Sequence, residues 1–244
     1  MFPYKVFEKT TNISKYTVDE KYQSKKNEVY RVTCIEGNIS FNKCVVVKNF
    51  MQSYSSFQKE VHLLTELYKH GLAVPRVYRV EDKCIIMECI MGKTLVDVLN
   101  EAEEKTPEGR LMKYRAEKYV TYDLLNWLKS FYCYSKTITG KKIILKDIHL
   151  RNFIAGEVLV GVDFESCTEG EVEEDIGKLC AFIATYDPQW TPWKISLVEK
   201  LKKSAIPLLS LDKDALEKEI SNELKLIKER RKSKNNQTID KNTY

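Results

Sequence analysis

Leu145-Lys146-Asp147-Ile148-His149-Leu150-Arg151-Asn152, followed by Gly161-Val162-Asp163-Phe164-Glu165, is the stretch on which the reading of this chain turns. Asp147 and Asn152 stand five residues apart, and Asp163 lies sixteen beyond Asp147. Between them, Phe153-Ile154-Ala155 and Val158-Leu159-Val160, joined through Gly156-Glu157, read as two short strands. A tight loop before one strand and the far end of the next can bring all three polar side chains to one point. Asn152 and Asp163 then offer the hard oxygen ligands that Mg²⁺ prefers beside phosphates. Asp147 is left to accept a proton from an attacking hydroxyl. Such an arrangement suits phosphoryl transfer, in which positioning and charge neutralisation do most of the work.

Working outward, the first half reads as strands around one helix. Glu28 to Ile35 is rich in β-branched and aromatic residues and is expected to form a hairpin with Ile39-Ser40-Phe41 across Gly37-Asn38. Cys44-Val45-Val46-Val47 is a further apolar strand that ends on Lys48. A helix follows, with Ser55 and Gln58 spaced as a capping box and Phe57, Val61, Leu64 and Tyr68 on one face. Gly71 and Pro75 stop it, and Cys84-Ile85-Ile86-Met87 reads as a buried strand. The second half is mainly helical, over Leu95–Asn100, Leu111–Ser135, Asp175–Tyr186 and Lys213–Lys232, with fraying expected after Ser233.

The whole chain has 244 residues, 43% hydrophobic and 31% charged, which argues against disorder and repeats. Its net charge of +5 permits an anionic ligand without requiring nucleic acid. Seven scattered cysteines, none in a C-x-x-C pair, read as reduced thiols of a cytoplasmic protein. No signal peptide is expected at the start, and no run approaches the ~18 apolar residues of a transmembrane segment.

Asp147-x-x-x-x-Asn152 with Asp163-Phe164-Glu165 resembles the catalytic loop and metal motif of the protein-kinase-like superfamily. The aspartate-phenylalanine-glutamate version looks most like aminoglycoside phosphotransferases, choline kinases and small sugar kinases. The resemblance implies roles for residues falling in the same order upstream. Lys48 matches the lysine that contacts the α- and β-phosphates, and Glu60 its ion-pair partner. Met87-Glu88-Cys89-Ile90 resembles the hinge, with the Glu88 carbonyl and Ile90 amide facing adenine. Ser24 to Val32 resembles the phosphate-covering turn, with Asn27 in place of a glycine. The match spans roughly residues 22 to 186.

An α+β, two-lobed kinase-like fold is therefore expected, with an N-lobe over residues 1–90 and a helical C-lobe over 91–244. The implied activity is transfer of the γ-phosphate of ATP, with Mg²⁺, to a hydroxyl of a small molecule. Two alternatives stand beside it: a compact atypical protein kinase similar to the RIO type, and an inactive pseudokinase binding module. Three departures from the pattern matter. Leu145-Lys146 stand before Asp147 where most relatives carry His-Gly or His-Arg, and residues 23 to 28 contain no glycine. The stretch from Glu165 to Asp175 is too short and acidic for a peptide platform, which favours a small-molecule partner.

Simpler readings apply to other residues. Asp175 reads as a first-turn charge, although in relatives an aspartate there steadies the catalytic loop. His149 reads as loop packing, and Lys146 as a residue near transferred phosphate. The aromatic run from Tyr114 to Tyr134 reads as helix core. The basic tail from Lys225 to Lys234 reads as a solvated helix end, with RNA, acidic lipid or polyanion contact as the sharper alternative.

Overall fold

The computed structural model describes residues 2–11, 13–37, 43–104 and 109–241. A short helix, α1 (Tyr4–Thr11), precedes two long strands, β1 (Ile13–Tyr22) and β2 (Asn27–Gly37). They pair antiparallel, and Tyr22 faces Val29 where the turn closes. Next come β3 (Cys44–Phe50), α2 (Tyr54–Lys69), β4 (Val77–Glu81) and β5 (Cys84–Glu88). The five strands form one antiparallel sheet in the order β1-β2-β3-β5-β4. Residues 39 to 41, expected to partner Glu28–Ile35, lie outside the described residues, and that partner is β1 on one side and β3 on the other.

Alternation along the strands sends Tyr30, Val32, Val45, Val47 and Ile86 to one face, where Phe2 and Phe7 of the first segment bury them. The opposite side joins α2 to the main core through Phe57, Leu63, Leu64, Leu67, Ile85 and Met87. The apolar stripe of α2 is thus rotated from its expected position, and Tyr68 is exposed. Its cap differs as well: Ser53, not Ser55, accepts from the Ser56 amide at 3.1 Å.

Beyond β5 the chain forms β6 (Lys93–Thr94), α3 (Leu95–Glu103) and α4 (Gly109–Lys118). A π-helical turn over Tyr119–Asp123 carries α4 into α5 (Leu124–Thr139). Trp127 and Phe131 of this long helix are buried, whereas Tyr114 and Tyr122 face solvent, so the aromatic run is only partly core. The remaining elements are β7 (Ile143–Ile144), a 3₁₀ turn (Leu150–Asn152), β8 (Phe153–Ala155), β9 (Val160–Gly161), β10 (Thr168–Glu169), α6 (Val172–Thr185), α7 (Pro192–Leu209) and α8 (Lys213–Lys241). The fold is α+β, with an antiparallel sheet and helix followed by a largely helical remainder. The last helix continues through the region expected to fray.

Two close approaches lock the small β6-β8-β9 sheet in place. At Gly92, φ is 156° and a Cβ would strike the Ala155 carbonyl, so the linker after β5 lies directly on β8. At Gly161 a Cβ would run into the Trp127 ring, whose Nε1 donates to the Ala73 carbonyl at 2.8 Å. The hairpin that carries Asn152 and Asp163 at its ends is thereby fixed to the strand linker above and the long helix below.

Candidate functional site

Lys48 lies on β3, a strand buried on both faces, and the residue is only 4% exposed. A charge at such depth requires partners. It donates to Glu60 Oε2 at 2.7 Å and to Asp163 Oδ1 at 2.8 Å, and Glu165 Oε2 stands 3.4 Å away. The Phe50 ring lies 4.9 Å from the same nitrogen. Burial opposes the Lys48 charge, but Glu60, Asp163 and Glu165 outweigh it and hold the ammonium ionised above its usual range. Burial pushes the Glu60 carboxyl up to about 7, against the pull of Lys48.

Asp163 follows β9 with φ at 69°, an uncommon conformation for a residue with a Cβ. Phe164 is then fully buried, with its ring 6.2 Å from Trp127 and 6.0 Å from Phe131. That anchor turns Asp163 and Glu165 to the same side, where their carboxylates and that of Glu60 come within 4.8 Å of one another. Glu165 also accepts a hydrogen bond from Asn27 Nδ2 and lies 3.7 Å from Lys26 Nζ. The turn between β1 and β2 is therefore tied to this group.

Asp147 belongs to a second group, on the loop after β7. Its side chain is 57% exposed, and its own backbone carbonyl accepts from Asn152 Nδ2 at 3.1 Å. The Asn152 carbonyl accepts from the Val162 amide at 2.8 Å, one step beyond the Phe153–Gly161 pair. The hairpin thus brings Asn152 beside the residue preceding Asp163.

The loop is held from below by Asp175. This fully buried carboxylate accepts from the Leu145 amide at 2.7 Å, the Lys146 amide at 3.0 Å and the Tyr132 hydroxyl at 3.1 Å. Burial raises its pKa to about 6 despite these donors. Lys146 adopts φ of 64°, its carbonyl accepts from Lys178 Nζ at 2.6 Å, and its own ammonium pairs with Glu174 at 2.9 Å. Its charge is therefore engaged at the start of α6. His149 stacks on Phe182 with ring centroids 4.1 Å apart, and its Nε2 lies 3.7 Å from Asp147 Oδ1. Burial lowers its pKa, against the pull of Asp147.

At the end of β5, the Glu88 amide donates to the Arg76 carbonyl at 2.9 Å, and its carboxylate accepts from the Arg76 amide at 3.2 Å. Cys89 is buried and Ile90 half-buried in the linker leading to Gly92. Sequence reasoning gave Glu165 no role of its own. Its signal was an acid two residues after Asp163, at the end of the apolar run from Val158 to Val162.

A paired lysine and glutamate beneath an antiparallel sheet, an aspartate reaching that lysine from a hairpin, and a clamped loop beside it resemble the arrangement of the protein-kinase-like superfamily. Residues 6–125 match the family model described as RIO1: RIO domain. No curated protein matches the chain. The matched span contains Asn27, Lys48, Glu60, Glu88 and Ile90, and ends before Asp147, Asn152 and Asp163. It points to the RIO side of the superfamily and not to the aminoglycoside phosphotransferase and choline kinase branch.

That match also corrects the expected partner, because a RIO domain points to a protein-kinase-type substrate and not to a small-molecule hydroxyl acceptor. The inference from the short stretch after Glu165 was the weak step, since compact RIO-type kinases share that brevity. Here the stretch folds back as β10, pairing Thr168 with Ile144 and Glu169 with Ile143. No helix among the described residues is long and apolar enough to cross a membrane.

Proposed function

We propose that the chain is a compact atypical protein kinase of the RIO type, moving the γ-phosphate of ATP to a hydroxyl of a protein side chain. The observation that carries this reading is the buried Lys48 ammonium bonded to both Glu60 and Asp163. It joins the sheet, the helix and the hairpin at one point in the cleft.

The donor types fit magnesium, because Asp163 and Asn152 both offer the hard oxygen ligands it prefers. Bound there, the ion would supply neutralisation of the phosphate charge. In this reading Asp163 and Asn152 hold it, Lys48 steers the α- and β-phosphates, and Glu60 keeps Lys48 oriented. The Asn27 turn covers the phosphates, while the Glu88 carbonyl and Ile90 amide take adenine. Asp147, exposed at the cleft, orients the acceptor hydroxyl for in-line attack. Asp175 positions the loop through backbone bonds and touches no substrate.

The test is phosphate transfer from γ-labelled ATP to the protein itself and to an acidic or basic protein acceptor. Wild type should label, and Asp147→Asn and Asp163→Ala should each reduce the rate by at least a hundredfold, within the range that general-base and charge-stabilising groups contribute. Full labelling by both variants would sink the assignment.

A further inference from the structure

Glu165 sits where an anion belongs. Three donors converge on its carboxylate: the Asn27 amide, the Lys48 ammonium at 3.4 Å and the Lys26 ammonium at 3.7 Å. Two of the three come from the turn between β1 and β2 or the residue that closes it, and the third is the cleft lysine. The Glu165 side chain is only 10% exposed, and Asn27 is buried with it. Asn27 is further fixed by its own backbone amide, which donates to Ser24 Oγ at 3.2 Å. An amide donor and two ammonium groups around one acidic group make a set suited to a phosphate.

We infer that Glu165 is a built-in phosphate surrogate: without nucleotide, its carboxylate holds Lys48 and ties the turn down over the cleft, and an incoming nucleotide must displace it. The inference rests on the nucleotide reading above and adds to it a regulatory contact. The opposing interpretation makes Glu165 a third cation ligand beside Asp163 and Glu60. The geometry favours the latch, because hydrogen-bond donors surround Glu165 and the shared centre of the three carboxylates is already taken by the Lys48 ammonium.

A bound state that must first break a latch has its apparent affinity reduced by the fraction of molecules already open. Removing the latch therefore tightens binding. The measurement is the dissociation constant of ADP without magnesium, by calorimetry, for wild type, Glu165→Ala and Glu165→Gln, with amide hydrogen exchange read over residues 23 to 27. Glu165→Ala should bind ADP roughly three- to tenfold more tightly than wild type, and its turn should exchange faster. Glu165→Gln, which keeps the shape and one acceptor, should move the same way by less.

Unchanged or weaker binding of magnesium-free ADP by both variants, with wild type binding, overturns the latch and leaves the nucleotide reading standing. A loss confined to titrations with magnesium overturns it in favour of a cation ligand. If wild type and both variants all fail to bind ADP, the nucleotide reading falls and takes the latch with it. Binding by the variants alone supports the latch in its strongest form.

Discussion

Around Lys48, three carboxylates from α2 and from the loop after β9 meet a buried cation, whereas around Asp147 the side chain is open to solvent and only its backbone is held. The first region is ordered by charge on charge, and the second by buried hydrogen bonds from Asp175 to the Leu145 and Lys146 amides. On the proposed kinase reading, the Lys48 charge is stored in an ion cluster until an arriving phosphate exchanges with a carboxylate. On the same reading Asp147 receives a changing acceptor and stays exposed, so its precision comes from the peptide units on either side. The two regions should therefore fail differently.

The largest effect is expected at the ion cluster. Lys48→Met leaves Glu60, 1% exposed, without its counter-ion, and breaking such a pair typically costs about 3–5 kcal/mol. The sign with pH follows from Glu60. Its folded pKa of about 7 lies above its ordinary 4.5, so its contribution is full below the ordinary value and lost as pH rises through the folded one. Without Lys48 the upward shift grows, so chemical denaturation should show a larger Lys48→Met deficit at pH 8 than at pH 5.5. An equal deficit at both would separate Glu60 from the cluster.

A smaller loss is expected at the loop. Asp175→Ala strands the Leu145 and Lys146 amides and the Tyr132 hydroxyl, at a cost on the order of 3 kcal/mol in denaturation midpoints. Hydrogen exchange should rise at residues 145 to 149 and stay unchanged near Lys48. Equal loosening of both regions would mean that Asp175 does not hold the loop independently of the Lys48 cluster.

The smallest effect concerns His149. Its folded pKa lies below the ordinary 6.5, so the stability it contributes is present above that value and lost as pH falls below it. Thermal melts of wild type should decline as pH is lowered from 7 to 5. His149→Phe keeps a ring on Phe182 and removes the titration, so part of that slope should flatten. An identical slope in the variant would mean that His149 is not buried neutral.

Much of the cleft was legible because its chemistry is carried by unlike residues in fixed order. Lys48 on an apolar strand, Asp163 after another, and Asn152 five beyond Asp147 could be read without knowing how the sheet closes. The face of α2 could not. Phe57 and Leu64 were placed correctly, but Glu60 turns inward to meet Lys48, which brings Leu63 and Leu67 with it and pushes Tyr68 into water. Pairing across the cleft, not periodicity, sets that rotation.

The unforeseen elements have similar causes. The helix α1 is eight residues long and makes sense only as a cover for Tyr30, Val32 and Val45, while β1, at a sheet edge, carries three consecutive charges at Asp19, Glu20 and Lys21. The helix α7, which was not among the expected helices, begins at Pro192, contains Pro207, and carries the fully buried Lys194, which donates to the Tyr186 and Pro188 carbonyls at 3.1 and 2.8 Å. The contact between Asn27 and Glu165 spans 138 positions, and no local pattern encodes it.

Calorimetric titration of ADP into wild type and Asp163→Ala, with and without magnesium, addresses the cleft most directly. Wild type should bind more tightly when magnesium is present, and Asp163→Ala should lose that gain while still binding ADP in its absence. Affinity in wild type that is indifferent to magnesium, or a magnesium gain that survives Asp163→Ala, would contradict the assignment of this cluster as the nucleotide-phosphate and metal site.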